Sequence, residues 1–193
     1  ENFSPSYPGA VSLFVNDTSK ISKYKKNITV FGNTDFKNKF NLKYYNIPLS
    51  RSLFQSQSRK YVEAFIKLEK KNKSDLIEIH NRPNYLSYLL KSLNRRTYVL
   101  YFHNDPLTMS GSKTINDRKI LLKTCYKIIF NSNWSKKRFL QGMHNKFINS
   151  EKLLVVFQSA KKNKVDLFKK NNWITFVGKL NKSKGYDIFG NAI

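Results

Sequence analysis

Short apolar runs, each closing on a polar residue and separated by segments of helical period, constrain this chain more than anything else in it. Candidate strands are NITVFGN (27–33), DLIEIHN (75–81), TYVLYFHN (97–104), KIIFNS (127–132) and KLLVVFQ (152–158). Helical spacing fills the intervals. Phe54, Tyr61, Phe65 and Leu68 share a face in residues 51–71, and Leu86, Leu89, Leu90 and Leu93 share one in 84–93. Further helices are expected through NDRKILLKT (116–124) and NWSKKRFLQGM (133–143). Strands alternating with helices form βα units around a parallel sheet, so the expected class is α/β.

The polar residues that close these strands are Asn33, His80–Asn81, His103–Asn104, Asn131–Ser132 and Gln158. Ligands of open α/β sheets bind beyond the carboxyl ends of the strands, although helix N-caps also favour Asn and Ser at these places. The segment SAKKNKVDLFKKNN (159–172) is polar and basic, as linkers are. The strand-like WITFVG then restarts the pattern. The expected organisation is a domain over 1–158, a linker over 159–172 and the truncated start of a second domain over 173–193. The opening ENFSPSYPGA has no basic start followed by an apolar core, so it is not read as a signal peptide. It also lacks an initiating Met, and the first strand of the first domain is expected to be missing.

At 193 residues, with 40% hydrophobic and 15% aromatic content, the chain can bury a core and is not of the disordered class. Its apolar runs fall short of the roughly 20 residues that span a bilayer. Cys125 stands alone, which fits a reducing compartment, and three His with one Cys give no structural-zinc spacing. The formal charge of +24 would attract phosphate-bearing partners. Yet Lys outnumbers Arg 29 to 7, and Asn reaches 22. Lys and Asn rise together under AT-rich coding, so three readings of the charge stay open: compositional bias, an anionic membrane surface, or nucleic acid. The last lacks aromatics interleaved with Arg or Gly on short strands.

Four pieces carry candidate chemistry. FSPSYPGA leads into a helix at Gly9, where free N–H groups favour phosphate; an ordinary strand-to-helix turn would read the same. IEIHNRPNY places His80, Asn81 and Arg82 at a strand end, where Arg82 could grip a carboxylate or phosphate, or be the solvated Arg of a capped turn. YFHNDP sets His103 before Asn104 and Asp105. Imidazole suits proton transfer near neutral pH, and short fixed polar groups suit sugar hydroxyls. VGKLNKSKG brings Gly178, Lys179 and Lys184 across a loop before a helix, where two ammonium groups can neutralise a diphosphate.

In order, these pieces resemble the retaining glycosyltransferases of the GT-B fold, family four (glycosyl transferases group 1). The resemblance runs from the Pro/Gly loop at 4–9 through DLIEIHNRP, LYFHNDP and IIFNSNWSKKRFL to FVGKLNKSKGYDIFGNAI. EIHNRP and HNDP look like a branch acting on bacterial envelope sugars. The resemblance implies two Rossmann-like domains about a cleft, acceptor on the first and sugar nucleotide on the second. It places His103 at the cleft edge beside the transferred sugar as the catalytic-site histidine; the chemistry of the residues themselves assigns Asn81, Arg82, Asn104 and Asp105 to the acceptor or sugar. Gly9, Gly178, Lys179 and Lys184 fall to the donor phosphates. Lys179 stands where the family usually has Arg, keeping the charge and losing the bidentate fork. The paired-glutamate motif of the family lies beyond residue 193, so the fragment itself is expected to be inactive.

The implied activity is transfer from a nucleotide-sugar to an envelope polysaccharide, lipopolysaccharide or lipid-linked acceptor, with retention. No cofactor and no obligatory metal is expected. A cytoplasmic enzyme, peripheral on the inner face of the cytoplasmic membrane, would suit the basic surface. The alternatives are a non-catalytic polyanion- or nucleic-acid-binding protein, and a GT-B-like epimerase or phosphorylase.

Overall fold

The computed structural model describes residues 2–49, 55–144, 147, 150–158, 174–178, 180 and 182–192. The chain divides into two compact units, Glu1–Gln158 and Ser159–Ile193. In the first, helix α1 (Ala10–Ile21) precedes strands β1 (Val30–Gly32) and β2 (Tyr44–Asn46), which pair parallel as a small sheet. Helix α2 (Gln57–Asn72) then leads into β3 (Leu76–His80), α3 (Tyr85–Ser92), β4 (Thr97–Phe102), α4 (Ile115–Thr124), β5 (Lys127–Phe130), α5 (Asn133–Leu140) and β6 (Leu153–Val155). Strands β3 to β6 form a four-stranded, all-parallel sheet in chain order. Parallel neighbours need a crossover, and α3 and α4 supply it for β3–β4 and β4–β5. The architecture is α/β and Rossmann-like, a parallel sheet flanked by helices.

Period-two alternation decides which side of the larger sheet faces the core. Ile77 and Ile79 of β3, Tyr98, Leu100 and Phe102 of β4, and Ile128 and Phe130 of β5 are buried in one cluster. The helices complete it with Val62, Phe65 and Ile66 of α2, Leu86 and Leu89 of α3, Leu121 and Leu122 of α4, and Phe139 of α5. Rings of Phe102, Phe130 and Phe139 meet at 5.3–5.7 Å, a spacing that adds to their burial. The opposite face presents Glu78 and His80 of β3 and Tyr101 of β4, and there Phe14 of α1 lies 5.3 Å from the Tyr101 ring.

Helix starts follow their caps. Ser56 accepts from Arg59 N–H ahead of α2, and Ser132 accepts from Ser135 N–H ahead of α5. Thr114 and Asp117 exchange hydrogen bonds at 3.0 Å as a capping box for α4. The α1 helix forms where expected, and the face it buries is polar. Ser12, Asn16 and Ser19 are buried, whereas Leu13 and Ile21 are exposed. Phe54, expected on the α2 face, lies outside the described residues; Tyr61 and Leu68 pack at the edge of the core.

The second unit is small. A 3-10 turn (Lys182–Lys184) runs through Gly185, at φ +72°, into α6 (Tyr186–Ala192). Phe176 packs 5.5 Å from Tyr186 and 5.4 Å from Phe189. The expected strand WITFVG is not one over 174–178: a strand is defined by its ladder partner, and none pairs with it among the described residues. The expected linker, 159–172, lies outside the described residues.

Candidate functional site

Strand β4 delivers His103 directly after its buried terminal residue, Phe102. Asparagines from the two flanking strand ends then fix the His103 backbone. Asn81, after β3, accepts the His103 N–H on Oδ1 at 2.8 Å. Asn131, after β5, donates from Nδ2 to the His103 carbonyl at 2.8 Å, and Ser135 of α5 in turn donates to Asn131 Oδ1 at 2.8 Å. A strand end that would fray is thereby held on both sides by side-chain amides.

The ring is held as firmly. His103 Nε2 lies 3.0 Å from His80 Nδ1, and His103 Nδ1 lies 3.2 Å from the Gln158 side-chain amide beyond β6. Phe14 meets the ring edge-on at 4.9 Å. His80, His103 and Tyr101 rings stack at 5.1–5.6 Å. Burial pushes the His103 pKa down to about 4, and the charge of neighbouring His80 pushes the same way. At pH 7 the ring is therefore neutral, with one nitrogen free to accept a hydrogen bond.

The other expected site residues divide. Asn81 is buried, with φ +55°, a left-handed conformation that Asn tolerates better than most, and its amide serves His103. Arg82 is exposed and donates to the Asn81 carbonyl at 2.9 Å. Asn104 is exposed beside His103. The Asp105 carboxylate is committed to scaffolding. It accepts from Leu107 N–H at 3.0 Å and binds Arg138 of α5 through two nitrogens at 2.9–3.3 Å. Burial opposes its ionisation, but Arg138 and the Leu107 amide hold the carboxyl below the usual range.

Gly9 is the N-cap of α1, five residues before Phe14, so the start of α1 lies within about a turn and a half of the ring cluster. On the second unit, Gly178 sits where an added Cβ would come within 3.1 Å of the Phe176 ring and 4.0 Å of Lys184 Cβ. Lys184 ends the 3-10 turn and is exposed, whereas Lys179 lies outside the described residues.

His80, Phe14 and Gln158 join the site without having been given a role by the sequence. His80 and Gln158 did carry a signal, since each closes an apolar run. Phe14 carried none beyond helical spacing. Cys125 is buried and its thiol is pushed up to about 12 by burial, which removes it as a nucleophile at neutral pH. Among the described residues there is no group of three His, Cys, Asp or Glu able to hold a metal. No described helix is long and apolar enough to cross a membrane. No protein-family model matches the chain, and a search of curated proteins finds no match either.

Proposed function

We propose that this chain contributes the acceptor-side domain of a GT-B glycosyltransferase that moves a sugar from a nucleotide-sugar donor to an envelope saccharide or lipid-linked acceptor with retention. One observation carries the reading: a neutral imidazole, held by hydrogen bonds on both sides, stands at the carboxyl end of the inner strand β4, with the start of a helix nearby. Such a ring can accept a hydrogen bond from a sugar hydroxyl and orient it, and it carries no charge that would repel a developing cation. The start of α1 at Gly9 has N–H groups that favour the donor phosphates. Lys179 and Lys184 would neutralise the departing diphosphate, so the reading needs no metal. Asn104 and Arg82, both exposed, are the side chains left to meet an acceptor, while Asp105 acts through the loop it holds.

The test is calorimetric and thermal-shift titration of the protein at its full natural length with UDP-, GDP- and ADP-sugars, with duplex DNA as control. Selective stabilisation by one sugar nucleotide is the expected result. At a hundred times its dissociation constant it would add about 2.7 kcal/mol. Stabilisation by DNA alone, lost in salt, would overturn the reading in favour of a polyanion-binding protein.

A further inference from the structure

His103 belongs to a chain of four groups on the face of the sheet that Phe14 of α1 packs against: Gln158, His103, His80 and Glu78. Glu78 Oε2 lies 3.6 Å from His80 Nε2, His80 Nδ1 lies 3.0 Å from His103 Nε2, and His103 Nδ1 lies 3.2 Å from the Gln158 amide. The groups are of unequal kind. An ionised carboxylate can only accept, whereas the Gln158 amide can turn either its donor or its acceptor toward the ring. Glu78 meets His80 Nε2 by charge at 3.6 Å and not by a hydrogen bond; its negative charge favours the proton on that nitrogen and so sets the direction, and Gln158 follows it.

A proton on His80 Nε2, facing the carboxylate, leaves the Nδ1 of a neutral His80 bare. The proton between the two rings then belongs to His103 Nε2, and the lone pair of His103 falls on Nδ1. The other groups around the His80 ring are the Tyr101 ring at 5.1 Å on β4 and Phe14 at 6.3 Å on α1. Neither brings a full charge to compete with Glu78.

We infer that Glu78 and His80 are positioning residues that fix the tautomer of His103, so that Nδ1 is the nitrogen offered to a bound hydroxyl, with Gln158 occupying that place until the ligand arrives. The inference deepens the transferase reading and rests on it for the identity of the hydroxyl alone, since the tautomer belongs to the chain without substrate. It also gives Gln158 a role, as an amide three residues beyond β6 that a ligand hydroxyl displaces.

The test is long-range proton–nitrogen NMR of the imidazoles at pH 7, in the wild-type protein and in Glu78→Ala, His80→Phe and Gln158→Ala. Wild type should show His103 protonated on Nε2 and bare on Nδ1, with a coupling through the shared hydrogen bond to His80 Nδ1. Glu78→Ala should convert this single state into a mixture in which His103 Nδ1 is partly protonated, and Gln158→Ala should leave it in place. Glu78 is half-exposed and its loss does not open the core, so this variant still reports if His80→Phe fails to fold. A wild-type proton on His80 Nδ1, or an unchanged His103 in Glu78→Ala, would overturn the inference. With a donor identified, turnover supplies a second readout. Loss of kcat in Glu78→Ala with KM retained is expected, and an unchanged kcat would remove Glu78 from the machinery. Failure of the sugar-nucleotide titration would leave the tautomer result standing, so the two readings fail separately.

Discussion

The His103 ring refuses a proton that an unfolded chain would take at about pH 6.5, and the fold loses stability in acid as a result. Its folded pKa lies below its unfolded one, so stability is full above pH 6.5, falls as pH drops toward 4, and levels off below that. Asp105 acts in the same direction at lower pH, because its carboxyl is held below the usual range and its contribution disappears once it is protonated. Denaturation midpoints measured from pH 7 to 4 should decline, and His103→Gln should flatten the decline above pH 4. Asn81 offers a second check. Asn81→Ala forces a left-handed Ala and orphans the His103 N–H, for a loss of about 2 kcal/mol in urea unfolding. Asn81→Gly keeps the backbone and loses only the amide, so its loss should be smaller. At this scale His103 was legible because it closes the most strand-like run in the chain. The other end of its hydrogen bond was not, since a pairing between positions 80 and 103 depends on the register of β3 against β4, which no local pattern encodes.

Elements were legible where their apolar residues face the core. The β3, β4, β5 and β6 strands and the α3 and α5 helices fall within the runs that suggested them, and α2 and α4 overrun theirs by one residue each. The β2 strand was missed because Tyr44–Asn46 is three residues long and earns its assignment only by pairing with β1. The inward face of α1 was missed because it is polar, and a hydrophobic period cannot reveal a stripe of Ser12, Asn16 and Ser19. A polar tie also holds α2. The buried Glu69 accepts from Ser74 N–H at 2.6 Å, Ser74 Oγ at 2.8 Å and Arg96 at 3.3 Å, joining the end of α2 to the turns before β3 and β4. Glu69→Ala strands all three donors and should destabilise the protein by about 3 kcal/mol, read by denaturant midpoint. Arg118 plays a similar part for α5, donating to the Phe139 and Gln141 carbonyls at its carboxyl end.

Across the whole molecule, charge works against compactness. A net +24 on 193 residues, against three arginine–carboxylate pairs among the described residues, leaves lysines repelling one another. Raising sodium chloride from roughly 20 to 200 mM should raise the melting temperature, because the Debye length falls to about 8 Å near physiological strength. A protein held by its ion pairs would respond in the opposite direction.

The small β1–β2 sheet has three residues a side, steadied beyond its ladder by Asn33 donating to the Ile47 carbonyl and Asn46 accepting from Thr34 N–H. Its ladder is separate from the four-stranded one and shorter. In deuterated water its amides should therefore exchange well ahead of those of β4 and β5, and the chain should label in two stages.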